Sequence, residues 1–506
     1  MSWSTATEAE PAVRREARLL VLGFAFLALS AASLAWAWLL HRAAGGGGAP
    51  AFLLLVPTWA VAAWLLNRAL DRWLPERDPL LLPCGLLLMG WGVLAVGRLL
   101  PDFGARQLAW FVAGVAILYE AARFRGALIW LRRYRLAWLL LGLLLLALTL
   151  LFGTNPSGGE ARLWLGWAGL YMQPSELLRL LLIAYLASYF ADRLMPGSDR
   201  PARRGLFAVL LPLLVVWAVA VALLAVQRDL GAGTLFLALL AVLLFLVSRR
   251  WEALGIGLLL VVAAGLVAMD LSSVVRARIE TWLNPWSDPL ALSYQTLQGL
   301  MAMASGGLGG VGPGFGRPEV IPAAHTDFVF AAIVEEWGVA GGLGMIALLA
   351  IVTARGLRAA TRARQVYSAV LAAGLSIAIG LQAVLILGGV LRVLPLTGVP
   401  VPFVSYGGSS LLTTTVSLAL LIRVSAESSA QPRFARSIRR VHTAGLAAWA
   451  VLALALGWWA VVRGPELRQR PDNPRPALSP AGESSPGDTS VARSRSLLDP
   501  IGGAKV

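Results

Sequence analysis

Residues 230–250 read LGAGTLFLALLAVLLFLVSRR: an uninterrupted uncharged stretch closed by Arg249 and Arg250. A helix rises about 1.5 Å per residue, so about 20 such residues cross a hydrocarbon layer about 30 Å thick. The stretch has no polar face to turn toward water, as a helix on the surface of a soluble protein would. It reads as a membrane span, and the same pattern recurs along the chain. Of 506 residues, 58% are hydrophobic and 14% charged, with a mean hydropathy of +0.73. That is more apolar material than a water-soluble core requires. The pattern predicts an all-α, polytopic integral membrane protein with about thirteen spans, near 17–40, 51–70, 80–100, 107–124, 136–153, 176–192, 206–226, 230–248, 252–270, 327–353, 367–391, 408–424 and 442–462. The first apolar run, Leu19 to Leu40, lacks a cleavage site and reads as a retained helix.

The net charge of +16 comes from arginines at the ends of apolar runs, not from one patch, which argues against nucleic acid as a partner. The clusters are Arg14 to Arg18, Arg68 to Arg77, Arg123 to Arg135, Arg200 to Arg204, Arg249 and Arg250, Arg355 to Arg364, and Arg433 to Arg440. All fall on one side if the N-terminus is cytoplasmic. The longest connection, about 271–326, then lies outside the cytoplasm, and so does the chain beyond the last span. That last stretch, from about 464, is rich in Pro, Ser, Gly and Arg and is expected to be disordered. The one cysteine, Cys84, sits in an apolar run and cannot form an internal disulfide.

Ionisable groups in or beside spans are costly in lipid, so each is a candidate for function. Glu176 closes Gln173-Pro174-Ser175-Glu176 at a predicted helix start, where capping is the alternative reading. Asp229 follows Gln227 and Arg228 at the mouth of the next helix, where capping or neutralisation by Arg228 would also account for it. His325-Thr326-Asp327 precedes an apolar helix carrying Glu335 and Glu336; helical periodicity puts Asp327 and Glu335 within a quarter turn, with Glu335 facing a polar interior. Asp288, in Asn284-Pro285-Trp286-Ser287-Asp288-Pro289, reads by itself as an ordinary turn aspartate. The run Gly306 to Gly316 cannot be regular helix; its backbone is free to approach a glycan or phosphate, but it lacks the ending of a nucleotide-binding loop.

Four segments occur together in order: Arg162-Leu163-Trp164-Leu165 leading into Gln173-Pro174-Ser175-Glu176; Gln227 to Gly231; Tyr294 to Gly307 continuing to Ala324-His325-Thr326-Asp327-Phe328 and Glu335-Glu336; and Pro400 to Ser410. In that order and spacing they resemble the SEDS family of bacterial cell-wall polymerases, the group of RodA, FtsW and SpoVE. The likeness covers about 78–428, as a ten-helix core. Residues 1–77 then form an N-terminal extension with two further spans, 429–463 a further C-terminal span, and 464–506 the tail. Two positions depart from the family: Arg228 stands where Gln-Pro-Asp-Leu-Gly is usual, and Thr397 precedes Gly398 where division-type members often have Lys. The second departure leans toward the RodA or SpoVE side. A fainter resemblance, from Arg436 to Arg475, is to the membrane anchor of a class B penicillin-binding protein, with no transpeptidase Ser-x-x-Lys motif following.

What the resemblance implies is a peptidoglycan glycosyltransferase of the cell membrane that polymerises lipid II, among membrane lipids and beside a class B penicillin-binding protein. It implies that Asp288 is the catalytic base. Around it, Tyr294, Gln295, Gln298, His325, Asp327, Glu335, Gln173, Glu176, Ser405 and Ser409 are expected at the substrate. The departing pyrophosphate needs positive charge, from Arg276 and Arg278, with Arg228 as another candidate, or from a divalent cation such as Mg or Mn. A lipid II flippase and a non-catalytic scaffold for a transpeptidase are the rival readings.

Overall fold

The computed structural model describes residues 6–43, 51–156, 162–167, 170–193, 206–291, 293–427 and 434–476. The helices are α1 (Ala6–Ala43), α2 (Leu55–Trp73), α3 (Leu81–Leu99), α4 (Pro101–Arg123), α5 (Ala127–Arg133), α6 (Arg135–Phe152), α7 (Pro174–Arg193), α8 (Leu206–Val226), α9 (Leu230–Ser248), α10 (Glu252–Leu271), α11 (Ser273–Leu283), α12 (Tyr294–Gly306), α13 (Val329–Arg362), α14 (Val366–Val390), α15 (Gly408–Ser425), α16 (Ala435–Gly457) and α17 (Gly464–Arg468). A two-stranded antiparallel hairpin, β1 (Leu165–Trp167) with β2 (Leu170–Met172), precedes α7, pairing Leu165 with Met172 and Trp167 with Leu170.

Among the described residues, ten helices are long and apolar enough to cross a membrane. The helices α2, α4 and α8, at positions where spans were also expected, fall outside that set. In α3 and α7, 89% of the most apolar window is buried, against 11% in α10, so the first two are central and α10 faces outward. Long side chains tie helices together while matching their polar atoms: the indole of Trp59 donates to the Leu86 carbonyl (2.9 Å) and that of Trp217 to the Phe236 carbonyl (3.0 Å). The added helices are joined to this centre, with α1 and α2 against α3 and α4, and α16 against α13 and α14.

Polar contacts sort into two ends. At one, Arg77 pairs with Glu16 (2.8 Å), Arg355 with Asp78 (2.5 Å) and Arg132 with Asp192 (3.0 Å), while the Asp78 amide donates to the Ser425 hydroxyl (3.0 Å). This end gathers the sequence's arginine clusters near Arg77, Arg125, Arg355 and Arg423; Arg200 to Arg204 lie outside the described residues. At the other end lie the long connection between α11 and α13 and the loop 391–407.

The glycine-rich run is built differently from the expectation. The helix α13 is broken at Gly338 (φ 70°, ψ −172°), which frees backbone groups that a membrane protein must satisfy internally. The run supplies them. Val311 and Gly312 amides donate to the carbonyls of Glu335 (3.1 Å) and Glu336 (3.0 Å), and Val339 and Ala340 amides donate to those of Gly307 (2.9 Å) and Leu308 (3.2 Å). At Gly310 (φ 81°) a Cβ would lie 2.2 Å from the Glu336 carbonyl oxygen, so only glycine fits. These backbone groups therefore bond the broken helix and are not free to approach a glycan.

The expected disorder beyond 464 is also corrected for the described part of the tail. Gly464–Arg468 is helical, Arg463 pairs with Glu466 (2.6 Å), and Asn473 and Arg475 are buried at 7% exposure each. The compositional rule fails because Arg475 has a buried carboxylate to meet. The rest of the tail, 477–506, lies outside the described residues.

Candidate active site

The segment Gln173-Pro174-Ser175-Glu176 starts α7 with Pro in its first turn, where a missing N–H costs nothing. It faces the start of α9, where Asp229 is the N-cap and accepts from the Ala232 amide (3.0 Å). The second Asp229 oxygen accepts from the Gln173 side-chain amide (3.1 Å) and the Ser175 hydroxyl (3.3 Å). Capping is thus part of what Asp229 does, and it is also the junction of two helix starts. Arg228 takes φ 61°, a left-handed conformation that proline, fixed near −65°, cannot adopt. The departure from Gln-Pro-Asp-Leu-Gly therefore changes the backbone at that residue.

Arg278, on α11, donates to the Thr397 carbonyl (3.1 Å) and lies against Gly398 (φ 74°), where a Cβ would come within 3.1 Å of its guanidinium. Its charge acts on both Asp229 and Asp327. Burial raises both carboxyls above the ordinary carboxylate range, Asp327 to about 6, with Arg278 opposing the rise. Burial likewise lowers His325, whose ring stacks 6.0 Å from Phe103 beside Tyr406.

From Arg278 a groove of about 820 Å³ runs between α8, α9, α10 and α11. Its body is apolar (Val221, Leu237, Leu260, Val267) and its head carries Arg228, Asp229, Arg278 and Thr397. Arg278 reaches it because α11 leaves α10 after a one-residue break at Ser272. Arg276, two residues earlier, is exposed and donates to the Met269 carbonyl (3.1 Å), so it is not part of the groove's head. Sequence reasoning missed the acceptor that aims Arg278, the Thr397 carbonyl; the unusual Thr397-Gly398 pair was the available signal.

Asp288 is half-buried on the loop from α11 to α12, ten residues after Arg278, with its carbonyl accepting from the Ser293 amide (3.1 Å). It is not among the residues that line the groove. Tyr294 begins α12, and Gln295 donates to the Pro322 carbonyl (2.8 Å). The hydroxyl of Ser405 donates to the Thr326 carbonyl (2.6 Å), and that of Ser409 accepts from the Gln173 amide (3.2 Å), so both serines tie loops of this end together. Glu176 pairs with Arg179 one turn along its own helix (2.7 Å).

The periodicity linking Asp327 to Glu335 does not hold, because α13 begins at Val329 and Asp327 lies in the preceding turns, toward Arg278. Glu335 instead meets the tail. Its carboxylate accepts from Arg475 (2.8 Å) and from the Arg317 amide (3.1 Å), and Arg475 also donates to the Gln298 side chain (2.8 Å). Gln298 donates in turn to the Asp472 carbonyl (3.4 Å). Glu336 faces Arg98 (3.4 Å). Asp472 and Arg475 were singled out in the sequence only as part of the anchor-like stretch; two adjacent buried carboxylates were the signal that a cation had to come from elsewhere. Among the described residues, no three His, Cys, Asp or Glu side chains cluster as a metal donor set.

Comparison with known proteins adds the following. Residues 93–430 match the sequence family of FtsW, RodA and SpoVE, described as "Cell cycle protein". The chain is 37% identical over 377 residues to the peptidoglycan glycosyltransferase RodA of Mycobacterium tuberculosis (strain ATCC 25618 / H37Rv), covering 71% of this chain and 80% of that one. Among solved structures it resembles a chain from a peptidoglycan synthase complex, a study of the structural coordination of polymerization and crosslinking, with TM-score 0.57, 29% identity, and coverage of 69% of this chain and 97% of that one. It also resembles an aspartate-to-alanine mutant of the Thermus thermophilus rod shape determining protein RodA, with TM-score 0.52, 26% identity, and coverage of 69% and 97%.

Proposed function

Because the chain belongs to the family of FtsW, RodA and SpoVE, and is a multi-pass membrane protein and peptidoglycan glycosyltransferase, we propose that it polymerises lipid II at the glycine-rich end of its bundle, with Asp288 as the general base. The observation that carries this reading is the groove of about 820 Å³: an apolar body headed by Arg278. Such a shape suits an amphipathic substrate with a charged head.

In the proposed reaction a sugar hydroxyl of one substrate attacks the anomeric carbon of the other. Asp288 takes the hydroxyl proton, the new glycosidic bond forms, and the bond to the lipid pyrophosphate breaks. Arg278, aimed by the Thr397 carbonyl, offsets the charge that grows on the leaving phosphate oxygen. Asp229, held by Gln173 and Ser175, fixes the groove's head without consuming that cation in a direct ion pair. Both substrates are anchored in the same lipid layer, so orientation supplies much of the rate.

The site then lies on the outer face of the bacterial cell membrane, with the N-terminus cytoplasmic and the tail outside. A class B penicillin-binding protein fits as partner, since cross-linking must follow polymerisation; the structural relative's description joins the two activities. The flippase reading predicts an essential acid deep in a span, whereas Asp288 is on a loop.

The test measures lipid II binding and strand formation in the same preparation. Asp288→Asn is expected to bind lipid II as the native chain does and to make no strands. Equal strand formation by both proteins would remove Asp288 from the chemistry.

A further inference from the structure

The opposite end of the bundle holds a second recess, of about 840 Å³, that the polymerase reading does not use. Five arginines line it, Arg125, Arg132, Arg133, Arg135 and Arg423, against two carboxylates. Neither carboxylate neutralises the group. Asp192 is shared by Arg132 (3.0 Å) and Arg135. Glu427 accepts from the Arg364 amide (3.2 Å) and the Ser368 hydroxyl (2.9 Å), so it caps the start of α14. Arg423 donates to the carbonyls of Ala121 (2.7 Å) and Ala122 (3.2 Å) at the end of α4, which fixes its direction and leaves its charge intact.

A separate observation points to a ligand. Tyr367 forms part of the wall, is 1% exposed, and its hydroxyl has no hydrogen-bond partner. Buried polar groups in folded proteins are almost always hydrogen-bonded. The Arg132 guanidinium lies over the same ring, 5.7 Å from its centre. An O–H donor in the wall of a recess lined by guanidiniums fits an acceptor-only anion, and the planar guanidinium matches phosphate oxygens two at a time. The rim, with Leu74, Leu128 and the largely exposed Ile129, is apolar where a headgroup's glycerol and first methylenes would leave the recess.

We propose that this recess is a binding site for a phosphate-bearing anion, seated by the five arginines and the Tyr367 hydroxyl, with an anionic phospholipid headgroup as the source the apolar rim favours. This differs from the general attraction of basic residues to anionic lipid, which depends on charge near the surface and not on one cavity.

The experiment is native mass spectrometry of the full chain in detergent, titrated with phosphatidylglycerol, with and without inorganic phosphate. Arg125→Gln/Arg133→Gln removes two cations that hold no carboxylate. Arg249→Gln/Arg250→Gln removes two on a different connection. Tyr367→Phe deletes only the hydroxyl. Losing charge-assisted hydrogen bonds is expected to lower phosphatidylglycerol retention about tenfold in Arg125→Gln/Arg133→Gln. A smaller loss is expected in Tyr367→Phe, and none in the Arg249/Arg250 protein. Displacement of the lipid by millimolar inorganic phosphate would keep the site and identify free phosphate as its source. Equal losses in the two double variants, or none in either, would overturn the proposal.

Discussion

At the arginine-rich end of the bundle, two carboxylates are matched directly by cations from other elements: Glu16 by Arg77 and Asp78 by Arg355. At the head of the groove, at the glycine-rich end, the pattern is reversed. Asp229 is held by neutral donors, Gln173 and Ser175 and a backbone amide, while the nearby Arg278 is held by a carbonyl. A direct ion pair fixes helix ends but removes a cation from use. A cation held by a neutral acceptor keeps its charge for a ligand, as does a carboxylate held by neutral donors. That difference separates these two ion pairs from the head of the groove, and it can be broken by substitution.

The largest effect is expected at the base. Asp288→Asn should lower strand formation from labelled lipid II by about 10²- to 10⁴-fold, the usual range for removing a general base. Next comes the cation. Arg278→Gln should cost about 10²- to 10³-fold in the same assay, as the loss of one donor to a developing oxyanion does, while Arg278→Lys recovers part of it. If Arg278→Gln polymerises normally, the contrast between those ion pairs and the groove's head loses its meaning.

The third concerns a direct ion pair at the same end but outside the groove. Glu335 and Arg475 are 2% and 7% exposed, and Arg475→Ala would leave the carboxylate buried without its cation. Breaking such a pair costs about 3–5 kcal/mol, to be read as a lower midpoint of thermal unfolding in detergent. Glu335→Gln/Arg475→Gln should recover much of the loss. An unchanged midpoint for Arg475→Ala would show that the tail adds nothing to this end.

The smallest effect is on pH. Burial pushes Asp327 from 3.8 up to about 6, so between those values the folded chain keeps a proton that the unfolded chain has released. Stability therefore falls as pH rises from 3.8 to about 6 and levels off above that. Asp327→Asn should flatten this part of the profile, measured as unfolding midpoint against pH. A profile that keeps its slope would assign the proton to another group.

Apolar run length made the spans legible, because lipid imposes one requirement on every residue of a crossing helix. Turn chemistry did not reveal the site in the same way. Asp288 is an ordinary turn residue by composition, and only the four ordered segments gave it a role. The Asp229 junction with Gln173 and Ser175 joins residues more than fifty positions apart, and no local period encodes such a contact. Asp327 was misread because the helical period was extended two residues before the helix starts. The glycine run was read as open backbone when its partner was a break in α13, visible in sequence only as Gly338 within an apolar run. The tail was misread by composition, since one buried carboxylate can order a polar segment that carries the matching cation.

The most direct measurement compares the two ends in one assay: strand formation from labelled lipid II by the purified full chain, with and without a class B penicillin-binding protein, for the native protein, Asp288→Asn and Arg125→Gln/Arg133→Gln. The account predicts strands from the native chain and from the arginine variant to within about twofold, and none from Asp288→Asn. Strands from Asp288→Asn at the native rate, or their loss only in the arginine variant, would contradict it.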